Sequence, residues 1–133
     1  MRQTKRTPFM LSLLVLLSAT TLACGPQMCS GEVVVSIMVT VVDEDGHGIE
    51  DPKLVVEFQR GAEQPWEACD NESRMDETTF ERLRSARWRC GGEVAGTLNV
   101  RATLGEMSGR TDGVRVKADA CHVQTREVEV VLQ

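Results

Sequence analysis

The stretch "EVVVSIMVTVV", residues 32–42, restricts this chain more than any other. Val33, Val35, Ile37, Val39 and Val41 fall on one side of an extended backbone, and Val34, Ser36, Met38 and Thr40 on the other. Strict period-two alternation with β-branched residues marks a strand rather than a helix. The run stops at "DEDGHGIEDP", a segment dense in turn formers. The pattern then recurs. "KLVVEF" places Leu54, Val56 and Phe58 together, and "TLNVRATL" sets Leu98, Val100, Ala102 and Leu104 against Asn99, Arg101 and Thr103. "GVRVKA" and "REVEVVL" continue it, the second with Val128, Val130 and Leu132 opposite Glu127 and Glu129. Short strands separated by turns, without a long helical pattern, predict an all-β antiparallel sandwich of about seven strands.

Residues 60–90 break the alternation. "RGAEQPWEACDNESRMDETTFERLRSARWRC" is polar and highly charged. Two readings fit it. Thr78 followed by Glu81 matches a capping box that would open a short helix, with Phe80 and Leu83 facing inward. Alternatively the segment is a long loop that ends in a short strand around Trp88. In either case it reads as an irregular insertion in a sandwich domain of residues 32–133.

The N-terminus has a different character. Arg2, Lys5 and Arg6 precede the apolar run "FMLSLLVLL", and no further charge occurs before Glu32. A basic start, a short apolar core and a small-residue end form the pattern of a secretory signal peptide. The apolar run is about half of the roughly 20 residues that a membrane-spanning helix needs. Thr21-Leu22-Ala23-Cys24 resembles the lipobox of bacterial lipoproteins, with Thr21 where that family prefers Leu. The resemblance implies removal of residues 1–23 and attachment of a diacylglycerol to the Cys24 thiol. Residues 24–31 would then form a lipidated N-terminus and short tether. Gly25 after the cysteine, rather than Asp, points to the outer membrane under the usual sorting of Gram-negative lipoproteins.

Five cysteines are present: Cys24, Cys29, Cys69, Cys90 and Cys121. In an oxidising compartment an odd cysteine is a liability, and lipid on Cys24 leaves four that can close two disulfides. Four cysteines allow three pairings. Cys69 and Cys90 bracket the irregular segment, whereas Cys29 and Cys121 each precede a strand, the first and the last. If those strands run side by side and parallel, their starts meet. The expected bridges are therefore Cys29–Cys121 and Cys69–Cys90. Five residue steps from Cys24 to Cys29 span at most about 17 Å, so the domain would ride close to the bilayer.

Three segments resemble the carboxypeptidase regulatory-like, or transthyretin-like, domains. "VTVVDEDGHGIEDPKLVVEF" looks like their opening strand, turn and second strand. "AGTLNVRATLGEMSG" looks like their later hairpin, with Leu98 in place of the usual aromatic. "VRVKADACHVQTREVEVVL", with its Cys121-His122-Val123 triplet, looks like the last two strands of lipoprotein members. The resemblance covers residues 33–58 and 95–132. It implies an Ig-like or prealbumin-like sandwich of a kind that usually accompanies a catalytic domain.

Charge and motif content restrict function further. Without the three basic residues of the leader, 12 basic side chains face 20 acidic ones, a net charge of −8. Nucleic acid and anionic lipid surfaces reward basic patches, so nucleic acid is not an expected partner. The expected partners are the membrane, through the lipid, and an envelope protein. No cofactor is expected. Asp43, Asp45 and Asp51 in the acidic turn 43–51 form a weak candidate for calcium, and the start Asp43-x-Asp45-Gly46 matches an EF-hand loop. That loop wants a ligand where His47 stands and a closing Glu where Leu54 stands. His47 and His122 are too few for zinc when the cysteines form bridges. No Gly-x-Ser-x-Gly, Ser-x-x-Lys or His-Glu-x-x-His run occurs. The tail "EVVLQ" lacks the Tyr-Arg-Gly-Ser-type ending of the transthyretin-like hydrolases of 5-hydroxyisourate. The chain is thus expected to be a non-catalytic binding or assembly module of the envelope, with a calcium- or carbohydrate-binding module on turn 43–51 as the alternative. Trp and Arg dominate interface hot spots, which makes Trp66, Trp88, Arg87 and Arg89 the candidate partner-binding residues.

Overall fold

The computed structural model describes residues 29–133. The expected signal peptide, Cys24 and most of the tether lie outside the described residues. Those described form an all-β structure. Strand β1 spans Val35–Val42, β2 Val55–Gln59, β3 Trp66–Ala68, β4 Asp70–Asn71 and β5 Arg74–Met75. Then come β6 Arg82–Leu83, β7 Arg87–Gly92, β8 Gly96–Leu104, β9 Met107–Val116 and β10 Arg126–Val131. One sheet has the order β10-β1-β7-β4 and the other β3-β2-β8-β9, with β5 and β6 a separate hairpin. With β3 and β4 taken as one strand that changes sheets, and the small hairpin set aside, seven principal strands remain.

The alternation of β1 places it at the centre. Ile37, Val39 and Val41 are completely buried, and from the opposite sheet Val56, Phe58, Leu98, Val100 and Ala102 meet them. Fully burying a side chain of this size stabilises by about 1.5–3 kcal/mol. Strand β7 pairs antiparallel with β1, setting Cys90 beside Ile37 and Trp88 beside Val39. On the other flank β10 pairs with β1 in parallel, from Ile37 with Arg126 to Val42 with Val131. The starts of the first and last strands therefore meet, and Cys29 and Cys121 form a disulfide with Cα atoms 5.2 Å apart. Ser36, buried on the other face of β1, is satisfied by the Val94 N–H at 2.8 Å.

Both seams between the sheets are closed. At one, the chain passes from β3 to β4 through Cys69, whose N–H donates to Val56 O in one sheet at 2.9 Å. Its sulfur bonds Cys90 in the other sheet, with a Cα separation of 4.5 Å. At the second seam β9 lies against β10, where Ser108 and Gln133 exchange backbone N–H···O bonds of 3.1 and 3.2 Å. Edge strands left open invite pairing with other chains, and these junctions cover part of each edge.

Strand β9 begins six residues before the alternating run "GVRVKA". Its first half faces β10 with Gly109 and Thr111, too small and too polar to register as a hydrophobic face. Asp112 and Gly113 together stand opposite Asn99, a bulge that Gly113 accommodates at φ 71°. Residues 60–90 take the loop-and-strand form. No helix opens at Thr78, because the Asp76 carboxylate accepts the N–H groups of Thr78 and Thr79 and turns the chain between β5 and β6. Phe80, expected to face inward, is 79% exposed at that turn.

A Cβ added at Gly109 would collide with the Val131 carbonyl group of β10. Gly109→Ala should therefore push the β9–β10 seam apart and destabilise the fold by roughly 1–3 kcal/mol, the range for overpacked sites. A lower urea midpoint measures this, and an unchanged midpoint would mean that the seam is loose.

Candidate functional site

The four candidate partner-binding residues do not share a surface. Trp88 lies in β7 between the two sheets and is 5% exposed, so a partner docking on the folded domain cannot reach it. Its indole N–H has no hydrogen-bond partner among the described residues. Arg87 and Arg89 alternate with Trp88 and Cys90 and so project outward from that sheet. Arg87 reaches Glu72 and Glu127 at 3.5 and 3.4 Å. Such exposed pairs contribute little to stability.

Trp66 belongs to the other sheet and faces away from the core. It pairs with Gln59, and Gln59 with Asn99, across the outer face. Two guanidinium groups cover its ring, that of Arg101 at 4.2 Å from the ring centre and that of Arg110 at 5.2 Å. Both distances lie within the roughly 6 Å reach of a cation–π contact. Arg101 also donates to Glu57 at 2.7 Å and Arg110 to Asp112 at 2.6 Å. Trp66, Arg101 and Arg110 thus form an aromatic–cation strip on an open sheet face. The alternation of β8 already turned Arg101 outward. Its meeting with Trp66 depends on strand register, which no linear pattern carried.

The acidic turn is shaped by its own hydrogen bonds. Asp43 Oδ1 accepts the N–H groups of Asp45 and His47 at 3.0 and 2.9 Å, and Gly46 takes a φ of 82° to close the turn. The His47 N–H, foremost, holds the Asp43 carboxyl below its ordinary range. Side-chain ligand atoms of Asp43, Asp45 and His47 come within 4.8 Å of one another. Asp51 does not join them; it caps the next turn by accepting the Lys53 N–H at 2.7 Å. Calcium prefers six to eight oxygens, which a group of two carboxylates and an imidazole does not offer.

A third constellation gathers just ahead of β1, where residues 29–31 meet the loop before β10. The disulfide places Ser30, next after Cys29, against His122, next after Cys121. Ser30 Oγ lies 2.9 Å from His122 Nε2, and His122 Nδ1 lies 2.7 Å from Glu93 Oε1. Glu93 also accepts the Val34 N–H at 2.8 Å and the Val123 N–H at 3.1 Å. The Val34 N–H and then the imidazole lower its pKa. Glu93 holds a left-handed backbone with φ 55°, a conformation that costs a non-glycine residue of order 1–3 kcal/mol. Asp119 accepts the N–H groups of Cys121 and His122 at 2.8 and 2.9 Å and fixes the loop that carries the imidazole. Residues 30, 93 and 122 are too far apart in the chain for sequence alone to reveal this cluster.

Compared with protein-family models, with characterised proteins and with solved structures, the chain finds no match.

Asp43, Asp76, Glu93 and Asp119 all have pKa values lowered chiefly by backbone N–H donors. A lowered folded-state pKa means that the unfolded chain takes up protons first as pH falls. The stabilisation is therefore complete above the ordinary carboxylate range and is lost from about pH 5 downward. Asp119→Asn keeps an acceptor for the two N–H groups but removes the titration. Its stability should fall less steeply in acid than that of the parent, as thermal melts from pH 7 to 2 would show.

Proposed function

We propose that this chain is a bacterial lipoprotein, exported and anchored through a lipid on Cys24, more specifically in the outer membrane. Its sandwich serves as a binding or assembly module of the cell envelope. The observation that carries this reading is the cysteine account. Four of the five cysteines are used in two disulfides, and the one left over is Cys24, directly behind the small-residue end of a signal-like leader. The pairing of Cys29 with Cys121 adds to it. A domain bound to its tether five residues after the anchor stays close to the membrane surface.

A further feature supports the reading. A sandwich of two sheets is the architecture that the resemblance to carboxypeptidase regulatory-like domains implies. For the partner face we propose the outer surface of sheet β3-β2-β8-β9, with Trp66, Arg101 and Arg110, in place of the surface around Trp88. An aromatic ring flanked by guanidinium groups has the residue types of an interface hot spot.

The test is the intact mass of the protein purified from the membranes of its own host. The expected species is residues 24–133 plus lipid, with four cysteines that become alkylatable only after reduction. Cys24→Ser should move the protein out of the membrane fraction. A soluble, unlipidated protein with a free Cys24 thiol would overturn the proposal.

A further inference from the structure

We infer that Ser30, His122 and Glu93 form an acyl-transfer centre for small carboxylic esters, with Ser30 as nucleophile, His122 as general base and Glu93 as the group that positions the imidazole. The inference goes beyond the binding role and does not depend on the lipid anchor. It departs from the expectation of no catalysis, which rested on linear motifs.

The geometry is that of an activated nucleophile: a hydroxyl within hydrogen-bond reach of a base, and the base held by a third group. The distances are 2.9 Å from Ser30 Oγ to His122 Nε2 and 2.7 Å from His122 Nδ1 to Glu93 Oε1. The tautomer follows from the chemistry of Glu93. An ionised carboxylate only accepts hydrogen bonds, and the N–H groups of Val34 and Val123 already favour that form. His122 Nδ1 therefore carries the proton, and Nε2 presents its lone pair to the Ser30 hydroxyl. The Cys29–Cys121 bridge holds nucleophile and base together, because each is the residue that follows a bridged cysteine.

Beside the pair lies a shallow, open depression of about 450 Å³ whose lining includes Gly31, Ala95, Ala118 and Val123 together with Glu32 and Asp119. Its small apolar side chains suit a short acyl chain. The Gly31 N–H donates to no other group among the described residues. It follows the nucleophile directly, the position from which a backbone N–H serves an oxyanion in other serine hydrolases. In the reaction Ser30 Oγ bonds to the ester carbonyl carbon while its proton passes to His122 Nε2. The bond from that carbon to the alcohol oxygen then breaks, and the alcohol leaves with the proton from His122. Water, giving a proton to His122, attacks the acyl-serine; the carboxylic acid departs and Ser30 Oγ recovers its proton.

The test is to treat the full, disulfide-intact chain with a fluorophosphonate probe and locate the adduct by peptide mass spectrometry. An adduct on Ser30 is expected, together with hydrolysis of p-nitrophenyl butyrate that Ser30→Ala abolishes. His122→Ala should slow labelling by roughly 10²–10⁴-fold, the range for loss of a general base. Glu93→Gln, which no longer fixes the tautomer, should change the pH profile of labelling while both disulfides remain intact. Ser30 is exposed and precedes β1, so its replacement leaves the core untouched. Absence of a Ser30 adduct on the wild-type chain would overturn the inference. So would labelling at an equal rate in folded His122→Ala protein.

Discussion

The parallel pairing of β1 with β10 is the constraint on which the rest of the structure depends. It joins the first strand of the domain to the last and places β1 inside its sheet, with β7 on the other flank. Pairing of this kind fixes direction as well as neighbour. Because the strands run the same way, the segments that precede them converge at one pole, and those that follow converge at the other. At the first pole Cys29 meets Cys121, and Ser30 meets His122. At the second, Gln133 beyond β10 reaches Ser108 of β9 and closes a seam between the sheets. A register slip of one residue would turn Val128 and Val130 away from the core and misplace both ends together.

How much of this could be read from the chain varies by element. Strands β1, β8 and β10 were legible because each buries one face more deeply than the other, which writes alternation into the sequence. The first half of β9 was not legible. It faces a neighbouring backbone with Gly109, and a bulge at Gly113 resets the phase of the pattern. The turn at Asp76 carried the residues of a capping box, yet a side chain that caps a turn serves a hairpin as readily as a helix. Both disulfides were legible from position alone, since bridge partners must lie where strands start together or where a crossover needs restraint. The surface proposed for a partner was legible only in residue type. Trp66 and Trp88 look alike in sequence, but register turns one outward and the other into the core.

The pole ahead of β1 and β10 combines covalent, hydrogen-bonding and conformational constraint in a few residues. A disulfide, a carboxylate with three hydrogen-bond donors and a left-handed Glu93 meet around one imidazole. The outer sheet face with Trp66 lies apart from this pole, so the proposed binding surface and the proposed acyl-transfer centre share no residues.

Peptide mapping of the unreduced protein would read the strand arrangement through its disulfides. Parallel closure of β1 and β10 predicts linked peptides that contain Cys29 with Cys121 and Cys69 with Cys90, and no link to Cys24. A link between Cys29 and Cys69 or Cys90, or any bridge to Cys24, would contradict the strand arrangement.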